Sequence, residues 1–271
     1  MIVVTGATGN VGRELVRILV AAGEQVTAVS RGPAEVPDGV RHHQADLGVP
    51  EGLRPALEGA DALFLLVAGD DPQGILDRAR AAGVGRVVLL SSQGVGTRPE
   101  VYRHPAGFEA AVRRSGLDWT VLRSGGLNSN AFAWAETIRT RRTATAPFAD
   151  IGLPTVDPAD VAEVAAAVLR EPGHTGRTYE LTGPALTTPR ERAAAMGAAL
   201  GEPVRFVEQT REEARAQMSA FMPEPVVEGT LAILGAPLPA ERAPSPAVER
   251  ILGRPPRPFA DWAARSAPAF R

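Results

Sequence analysis

Three glycines follow a short apolar run at the start of the chain, with two residues between each glycine and the next. The run Ile2–Val4 is typical of a buried strand, and Gly6, Gly9 and Gly12 lead from it into a segment with helical apolar spacing. Glycine at these places allows a tight turn, a close approach of the backbone to a pyrophosphate, and close packing of helix on sheet. The pattern predicts a dinucleotide-binding turn, although any tight strand-to-helix turn can use glycine.

The end of the second predicted strand carries Ser30 and Arg31, where NAD-selective proteins place an acid. An arginine can bind a 2′-phosphate through two parallel hydrogen bonds, and Ser30 can donate another. We therefore expect NADP(H) as the cofactor, with a solvated loop arginine as the alternative. Asp46, after the third predicted strand, can accept from an adenine amino group or cap the helix that begins near Pro50.

Candidates for proton transfer are Ser92, Tyr102 and His104, which follow the fifth predicted strand. All 29 residues counted as Lys or Arg are arginine, so no lysine can form a Schiff base or lower the pKa of a tyrosine. A tyrosine without an adjacent cation keeps a pKa near about 10, and it then donates a hydrogen bond to a developing oxyanion instead of acting as a base. The segment is rich in Pro and Arg, which favours an exposed loop as the alternative.

Two asparagines and two aspartates lie where a second lobe would meet the sheet. Asn128 and Asn130 follow the sixth predicted strand, and they would either orient a substrate or satisfy loop backbone groups. Asp157 and Asp160 open an apolar helix, and capping and the helix dipole account for both carboxylates.

Apolar runs of strand length alternate with helical patterns through the first part of the chain. Six strands alternating with helices, the last at Trp119–Arg123, predict an α/β fold with a doubly wound parallel sheet of the Rossmann type. The alternation stops after Gly126. We expect a dinucleotide-binding domain at 1–126 and, at 127–271, a smaller and mostly helical substrate lobe, part of which returns to the sheet. Its expected elements include a strand at Thr178–Thr182, helices capped by Thr188 and Thr210, and a last helix at Phe259–Ser266.

Composition excludes several classes of protein and site. The formal net charge of −2 gives no field that would attract nucleic acid or an anionic membrane. The absence of cysteine excludes disulfides and thiolate metal sites, and His42 and His43 point to opposite faces of a strand, so we expect no metal. No apolar run approaches the ~20 residues of a membrane span, and the glycine turn leaves no room for a signal peptide. We expect a cytoplasmic monomer or homodimer that acts on a small molecule.

Several motifs resemble the NmrA-like group of atypical short-chain dehydrogenases/reductases. They are Thr5–Gly12, Ser91-Ser92, Ser115–Arg123, Tyr179–Pro184 and the closing Glu249–Phe259, so the resemblance covers nearly the whole chain. The resemblance implies a Rossmann fold and an NADP(H) site. The residues it implies are Gly6, Gly9, Asn10 and Val11 at the pyrophosphate, Arg31 at the 2′-phosphate, Asp46 and Leu47 at the adenine, Val67 and Ala68 at the ribose, and Ser91 and Gln93 at the nicotinamide. We also expect Thr8 and Gly12 at the pyrophosphate and Ser30 beside Arg31.

One departure from the wider superfamily concerns its usual Tyr-x-x-x-Lys pair. The matching window begins at Tyr102 and places Ala106 at the lysine position. We therefore expect an NADPH-dependent reductase of a small carbonyl, quinone or related unsaturated compound, because quinone-like acceptors need little acid from the protein. The alternatives are a non-catalytic NADP(H) sensor that reports to a partner, and an enzyme that performs isomerisation, dehydration or cyclisation.

Overall fold

A seven-stranded parallel sheet lies at the centre of the computed structural model, which describes residues 1–271. The strands in chain order are β1 (Ile2–Thr5), β2 (Val26–Ser30), β3 (Arg41–Gln44), β4 (Ala62–Leu66), β5 (Arg86–Ser92), β6 (Asp118–Ser124), β7 (Thr143–Pro147), β8 (Arg177–Leu181) and β9 (Arg205–Gln209). The sheet order is β3-β2-β1-β4-β5-β6-β8, while β7 and β9 pair separately. The order reverses between β1 and β4, and ligands bind at such a point, beyond the carboxyl ends of the strands. The doubly wound Rossmann fold is confirmed.

Thirteen helices surround the two sheets, and none of them is both long and apolar enough to cross a membrane. They are α1 (Gly12–Ala21), α2 (Arg54–Leu57), α3 (Pro72–Ala81), α4 (Gly94–Thr97), α5 (Arg103–Arg114), α6 (Ala135–Arg141), α7 (Pro158–Arg170), α8 (Pro189–Leu200), α9 (Arg211–Ser219), α10 (Glu224–Gly235), α11 (Pro239–Arg242), α12 (Ala247–Leu252) and α13 (Phe259–Ser266). Three 3-10 turns lie at Pro50–Leu53, Asn128–Trp134 and Ala267–Phe270.

Both faces of the central sheet are covered, which explains the continuous apolar runs of its strands. Successive side chains point to opposite faces. Val4 and Phe64 therefore pack with α1 and α7, whereas Val3 and Leu63 pack with α3 and α5. With two apolar layers on it, the sheet is a rigid base for the loops at its carboxyl edge.

The smaller lobe has its own aromatic core. Trp134 and Trp262 pack with Phe259 and Phe270, and the Trp134 indole N–H donates to the carbonyl oxygen of Thr145 at 2.8 Å. This core packs β7, α6, α8 and α13 against one another. It therefore stabilises the side of the lobe that faces the sheet.

The aspartates at the start of α7 do more than cap it. Asp157 accepts from the backbone N–H of Ala159 at 2.9 Å, which confirms the predicted cap, but its carboxylate also pairs with Arg265. Asp160, which is fully buried, accepts from the Arg254 guanidinium at 2.7 Å and from the backbone N–H of Arg257 at 2.7 Å. Capping alone was therefore an incomplete explanation, because both carboxylates also anchor the C-terminal segment.

Several sequence predictions for individual elements are confirmed and two are wrong. Thr188 and Thr210 each form a capping box, and β8 and α13 lie where a strand and the last helix were expected. No helix lies between β2 and β3, so the expected sixfold alternation is broken there by a loop. The segment after Tyr102 is the helix α5 and not an exposed loop, because a proline is tolerated in the first turn of a helix.

Candidate active site

The glycine turn forms a cradle at the start of α1. Gly6 has a φ of +63°, and a Cβ there would lie 2.0 Å from Leu66 Cδ1, while a Cβ on Gly12 would lie 2.2 Å from the Gly6 carbonyl oxygen. No side chain fits at either place. Within residues 6–12, five backbone N–H groups donate to no backbone carbonyl, namely those of Gly6, Thr8, Asn10, Val11 and Gly12. Free N–H groups at a helix N-terminus suit a pyrophosphate, so this cradle fits a dinucleotide.

The loop after β2 presents an exposed arginine. Arg31 is exposed, and its carbonyl oxygen is held by the side-chain amide of Gln44 at 2.9 Å. The Ser30 hydroxyl is already engaged, since it donates to the Gly32 carbonyl oxygen at 2.7 Å and lies 2.8 Å from His42 Nε2. The expected hydrogen bond from Ser30 to a 2′-phosphate is therefore not available here. Arg31 alone is free to make that contact.

Asp46 and Leu47 lie at the next loop along this edge. The Asp46 carboxylate accepts from the Gly48 N–H at 2.8 Å and stays exposed, whereas Leu47 is buried. The turn that begins at Pro50 has no side-chain cap, so the alternative that Asp46 caps it is wrong. Gly69 packs so closely here that a Cβ on it would lie 2.6 Å from the Leu47 carbonyl oxygen. The loop after β4 therefore packs directly against the turn that carries Asp46.

A first cavity, the strand-end cavity, lies beyond β4 and β5 and has a volume of about 380 Å3. Val67 lines it, and Ala68 follows half-buried in the same loop. His104, at the start of α5, also lines it, and its Nε2 donates to the Gly69 carbonyl oxygen at 2.7 Å. The other lining residues are Leu66, Leu90, Ser91, Ser92, Val101, Tyr102, Pro105 and Val226.

Ser91 belongs to a buried network below the site. Its hydroxyl donates to Glu109 at 2.8 Å, and the fully buried Glu109 also pairs with Arg123 at 2.8 Å and Arg113 at 2.7 Å. Burial acts to raise the pKa of Glu109, but hydrogen bonds from these three residues outweigh it and lower the pKa. Ser91 therefore fixes β5 to α5, with its hydroxyl already used inside the protein.

Ser92 and Gln93 turn toward the smaller lobe. The Ser92 hydroxyl accepts from the Gly94 N–H at 3.2 Å, and the Gln93 side-chain amide donates to the carbonyl oxygen of Ala240 at 3.2 Å. Both residues line a second cavity, the lobe cavity, of about 460 Å3 between the sheet edge and the smaller lobe. Its lining includes polar groups of both parts of the chain, among them Thr97, Ser124, Asn130, Thr145, Thr155, Arg192, Gln209 and Glu241.

Tyr102 stands between the two cavities and lines both of them. Its ring lies flat against Gly94, where an added Cβ would be only 2.4 Å from Cε2 and Cζ of the ring. Burial, reinforced by the charge of Glu241 and opposed by Arg98, raises the pKa of the Tyr102 phenol. The hydroxyl is therefore protonated at neutral pH, and it can donate a hydrogen bond but cannot serve as a base.

The two asparagines differ in position. Asn130 lines the lobe cavity, as a residue that contacts a substrate would. Asn128 is fully buried, its amide oxygen and nitrogen have no hydrogen-bond partner, and it does not line the cavity. Asn128 therefore does not reach the space where a substrate contact was expected, and its amide does not satisfy loop backbone groups either.

Sequence reasoning missed two charged groups of the lobe cavity. Glu241 is buried and pairs with Arg98 at 2.7 Å, across 143 positions of the chain, and Arg192 lies in the wall of the cavity. Each is one charged residue among many in this sequence, and no local pattern marks it. Only the folded arrangement brings them to the site.

Comparison with known proteins agrees with this geometry. A family model described as NAD(P)H-binding matches residues 6–172. The (4-alkanoyl-5-oxo-2,5-dihydrofuran-3-yl)methyl phosphate reductase of Streptomyces griseus is 39% identical over 100% of this chain and 99% of its own length. A crystal structure of the NADPH-dependent quinone oxidoreductase QOR2 from Escherichia coli, complexed with NADPH, is 26% identical with a TM-score of 0.80, covering 98% of this chain and 99% of that one.

A fourth likeness concerns the fold alone. The crystal structure of NmrA, a negative transcriptional regulator, has a TM-score of 0.76 at 19% identity and covers 98% of this chain and 95% of that chain. The expected resemblance to the NmrA-like group is thereby confirmed for the fold. The chain belongs to the NAD(P)H-binding family and is an NAD(P)H-dependent oxidoreductase with the NmrA-like fold.

Proposed function

We propose that the chain uses NADPH to reduce a small conjugated carbonyl compound or quinone in the lobe cavity. The observation that carries this proposal is the position of Ser92 and Tyr102, which line both the strand-end cavity and the lobe cavity. A dinucleotide held by the glycine cradle extends along the carboxyl ends of the strands in this fold class. The two hydroxyls therefore stand where such a cofactor would meet a substrate.

The proposed reaction requires little acid catalysis by protein side chains. NADPH, when bound, supplies a hydride to the electrophilic carbon of the substrate. The displaced electron pair moves to the carbonyl oxygen, to which Tyr102 donates a hydrogen bond, and a solvent proton completes the reduction. Ser92 assists as a second hydroxyl on the same wall. His104 is a less direct candidate, because its Nε2 is engaged by the Gly69 carbonyl oxygen.

We assign the cofactor and substrate contacts by position. Arg31 binds the 2′-phosphate and selects NADPH, since no acid lies there to accept from a ribose hydroxyl. Asn130 contacts the substrate. The remaining cofactor contacts are Gly6, Thr8, Gly9, Asn10, Val11 and Gly12 at the pyrophosphate, Asp46 and Leu47 at the adenine, Val67 and Ala68 at the ribose, and Gln93 at the nicotinamide.

Further parts of the proposal concern setting and organisation. We place the protein in the cytoplasm, as a monomer or homodimer that acts on its substrate without a nucleic acid or membrane partner. We also propose that residues 1–126 form the cofactor domain and 127–271 the substrate lobe, part of which returns to the central sheet as β8 and α7. Size-exclusion chromatography with light scattering determines the oligomeric state, and a mass above that of a dimer would contradict this part.

The experiment is a turnover assay with NADPH and a panel of quinones and conjugated lactones. The panel includes 2,5-dihydrofuran-5-ones, since the name of the Streptomyces griseus relative describes such a ring. Wild type should oxidise NADPH only when one of these acceptors is present. Absence of acceptor-dependent oxidation across the panel, despite tight NADPH binding, would instead favour a sensor.

A matched pair of variants locates the reaction. Ala133 and Ala81 are both exposed, but only Ala133 lines the lobe cavity. A133W should fill the cavity and abolish acceptor-dependent turnover while NADPH still binds. A81W, at the end of α3, should behave like wild type. Equal activity of A133W and A81W would show that the reaction does not take place in the lobe cavity.

A further inference from the structure

An arginine in the wall of the lobe cavity has no partner for its charge. Arg192 lies in the first turn of α8, and it lines the cavity together with Trp134. Its guanidinium carbon is 5.9 Å from the centroid of the Trp134 ring. The Nε atom is fully buried and has no hydrogen-bond partner. A planar cation is thus held against an aromatic face with donors left over.

The electrostatic setting of Arg192 is unfavourable in the empty cavity. Burial lowers the pKa of the Arg192 guanidinium to about 10, and no neighbouring carboxylate opposes that shift. The group still carries its proton at neutral pH, so a half-buried positive charge, with its Nε atom fully buried, has no carboxylate partner. A buried charge lacking a partner is costly, and proteins seldom keep one without a use.

The one carboxylate in the same lining does not balance this charge. Glu241 is held by Arg98 through two hydrogen bonds, of 2.7 Å and 2.9 Å. That pair is neutral as a whole, which leaves Arg192 as the excess charge of the cavity. The neighbouring side chains Thr145 and Thr155 and the amide of Gln209 line the same space and are uncharged. A ligand that neutralises the cavity must therefore be an anion.

We infer that Arg192 binds an anionic group of the substrate, a phosphate monoester or a carboxylate, so that the preferred substrates are conjugated carbonyl compounds that carry one. The inference rests on the proposed function, whose substrate class it narrows. The planar fork of a guanidinium matches the two oxygens of either anion. A cavity of about 460 Å3 also has room for a small ring together with such a group.

The experiment compares three forms of one substrate: a 2,5-dihydrofuran-5-one with a hydroxymethyl group, its phosphate ester and its hemisuccinate. For wild type we expect kcat/KM to be about 30-fold higher for at least one anionic form than for the alcohol, as a charged hydrogen-bonding contact gives. In R192Q this ratio should fall to about one. The anionic form with the higher kcat/KM in wild type shows whether Arg192 binds a phosphate or a carboxylate.

R190Q is the matched control on the same helix. Arg190 is exposed, pairs with Asp150 at 2.9 Å and does not line the cavity, so R190Q should keep the wild-type ratio. A wild-type enzyme that reduces all three forms equally would overturn the inference and leave the proposed function intact. A ratio that survives in R192Q would overturn it as well.

A binding measurement separates the anion site from turnover. Phenyl phosphate and benzoate should raise the Tm of wild type, and the rise should be absent in R192Q and partly kept in R192K. Without ligand, R192Q should melt no lower than wild type, because it removes an uncompensated buried charge. A large loss of Tm in unliganded R192Q, with the ligand-induced rise preserved, would show that Arg192 serves only to pack on Trp134.

Discussion

Replacing Gly94 by alanine tests whether the position of the Tyr102 ring matters for the reaction. The added Cβ would lie 2.4 Å from Cε2 and Cζ of the ring, whereas carbon atoms in contact are about 3.5–4.0 Å apart. The ring must therefore move by about 1 Å. Gly94 begins the short helix α4 and its φ is not positive, so alanine suits the backbone itself. The strain falls on Tyr102.

The expected cost follows from the displacement. A misplacement of about 1 Å in a catalytic group can lower the rate by about 10²-fold, which equals about 2.7 kcal/mol in the activation barrier. We expect kcat of G94A to fall by about that factor, with little change in the KM for NADPH. Steady-state oxidation of NADPH with a conjugated lactone measures both constants, and the Tm of G94A checks that the variant is folded.

The matched variant Y102F removes the hydroxyl and keeps the ring. If Gly94 acts only by placing that hydroxyl, G94A should have little further effect on kcat in the Y102F background. The double-mutant cycle would then show strong coupling. Wild-type kcat in G94A would show that the position of the ring does not matter, and fully additive losses in the double variant would show that Gly94 does not act through the Tyr102 hydroxyl. Wild-type kcat in Y102F would show that the hydroxyl has no part in the reaction.

Three further predictions concern the cofactor, the reaction and the fold. R31E should weaken NADPH binding by ~10-fold or more, because a charged contact to phosphate is lost. NADH binding should not weaken, since an acid at this position can accept from the ribose 2′-hydroxyl. Calorimetry with both nucleotides checks this, and equal weakening would place the 2′-phosphate elsewhere. Because burial raises the pKa of Tyr102, kcat should show no loss from tyrosine ionisation between pH 7 and about 10, and a basic limb near neutrality that disappears in Y102F would contradict this. E109Q should lose about 3 kcal/mol of unfolding free energy at pH 7. The folded pKa of Glu109 is lowered, so its stabilisation is present above the unfolded pKa and lost as pH falls through the folded one; urea unfolding should therefore show the two proteins converging in acid, and a constant gap would contradict it.

Local signals made part of this fold predictable. The turn at Gly6 needs a backbone conformation that glycine adopts readily, and the capping boxes at Thr188 and Thr210 are complete within four residues. The turn and the capping boxes each depend on residues that are close in the sequence, so the sequence alone identifies them. The dinucleotide-binding fold could be predicted for the same reason.

The reacting end was not foreseeable, because it depends on contacts between distant residues. Ser91 and Glu109 meet only when α5 packs on β5, and Glu241 reaches Arg98 across 143 positions. A serine whose hydroxyl is buried in such a network looks the same in a sequence as one that faces a cavity. The same holds for Arg192. Only the folded structure shows that no hydrogen-bond acceptor lies near its Nε atom.

Deuterium transfer tests most directly whether this chain delivers a hydride to a substrate in the lobe cavity. NADPH carrying deuterium at both positions of its reactive carbon, C4 of the nicotinamide ring, would be mixed with a conjugated lactone, and the product examined by mass spectrometry. One deuterium should appear on carbon in the reduced product of wild type and of A81W, with no reduced product from A133W. Reduced product without deuterium, or full transfer by A133W, would contradict hydride delivery at this site.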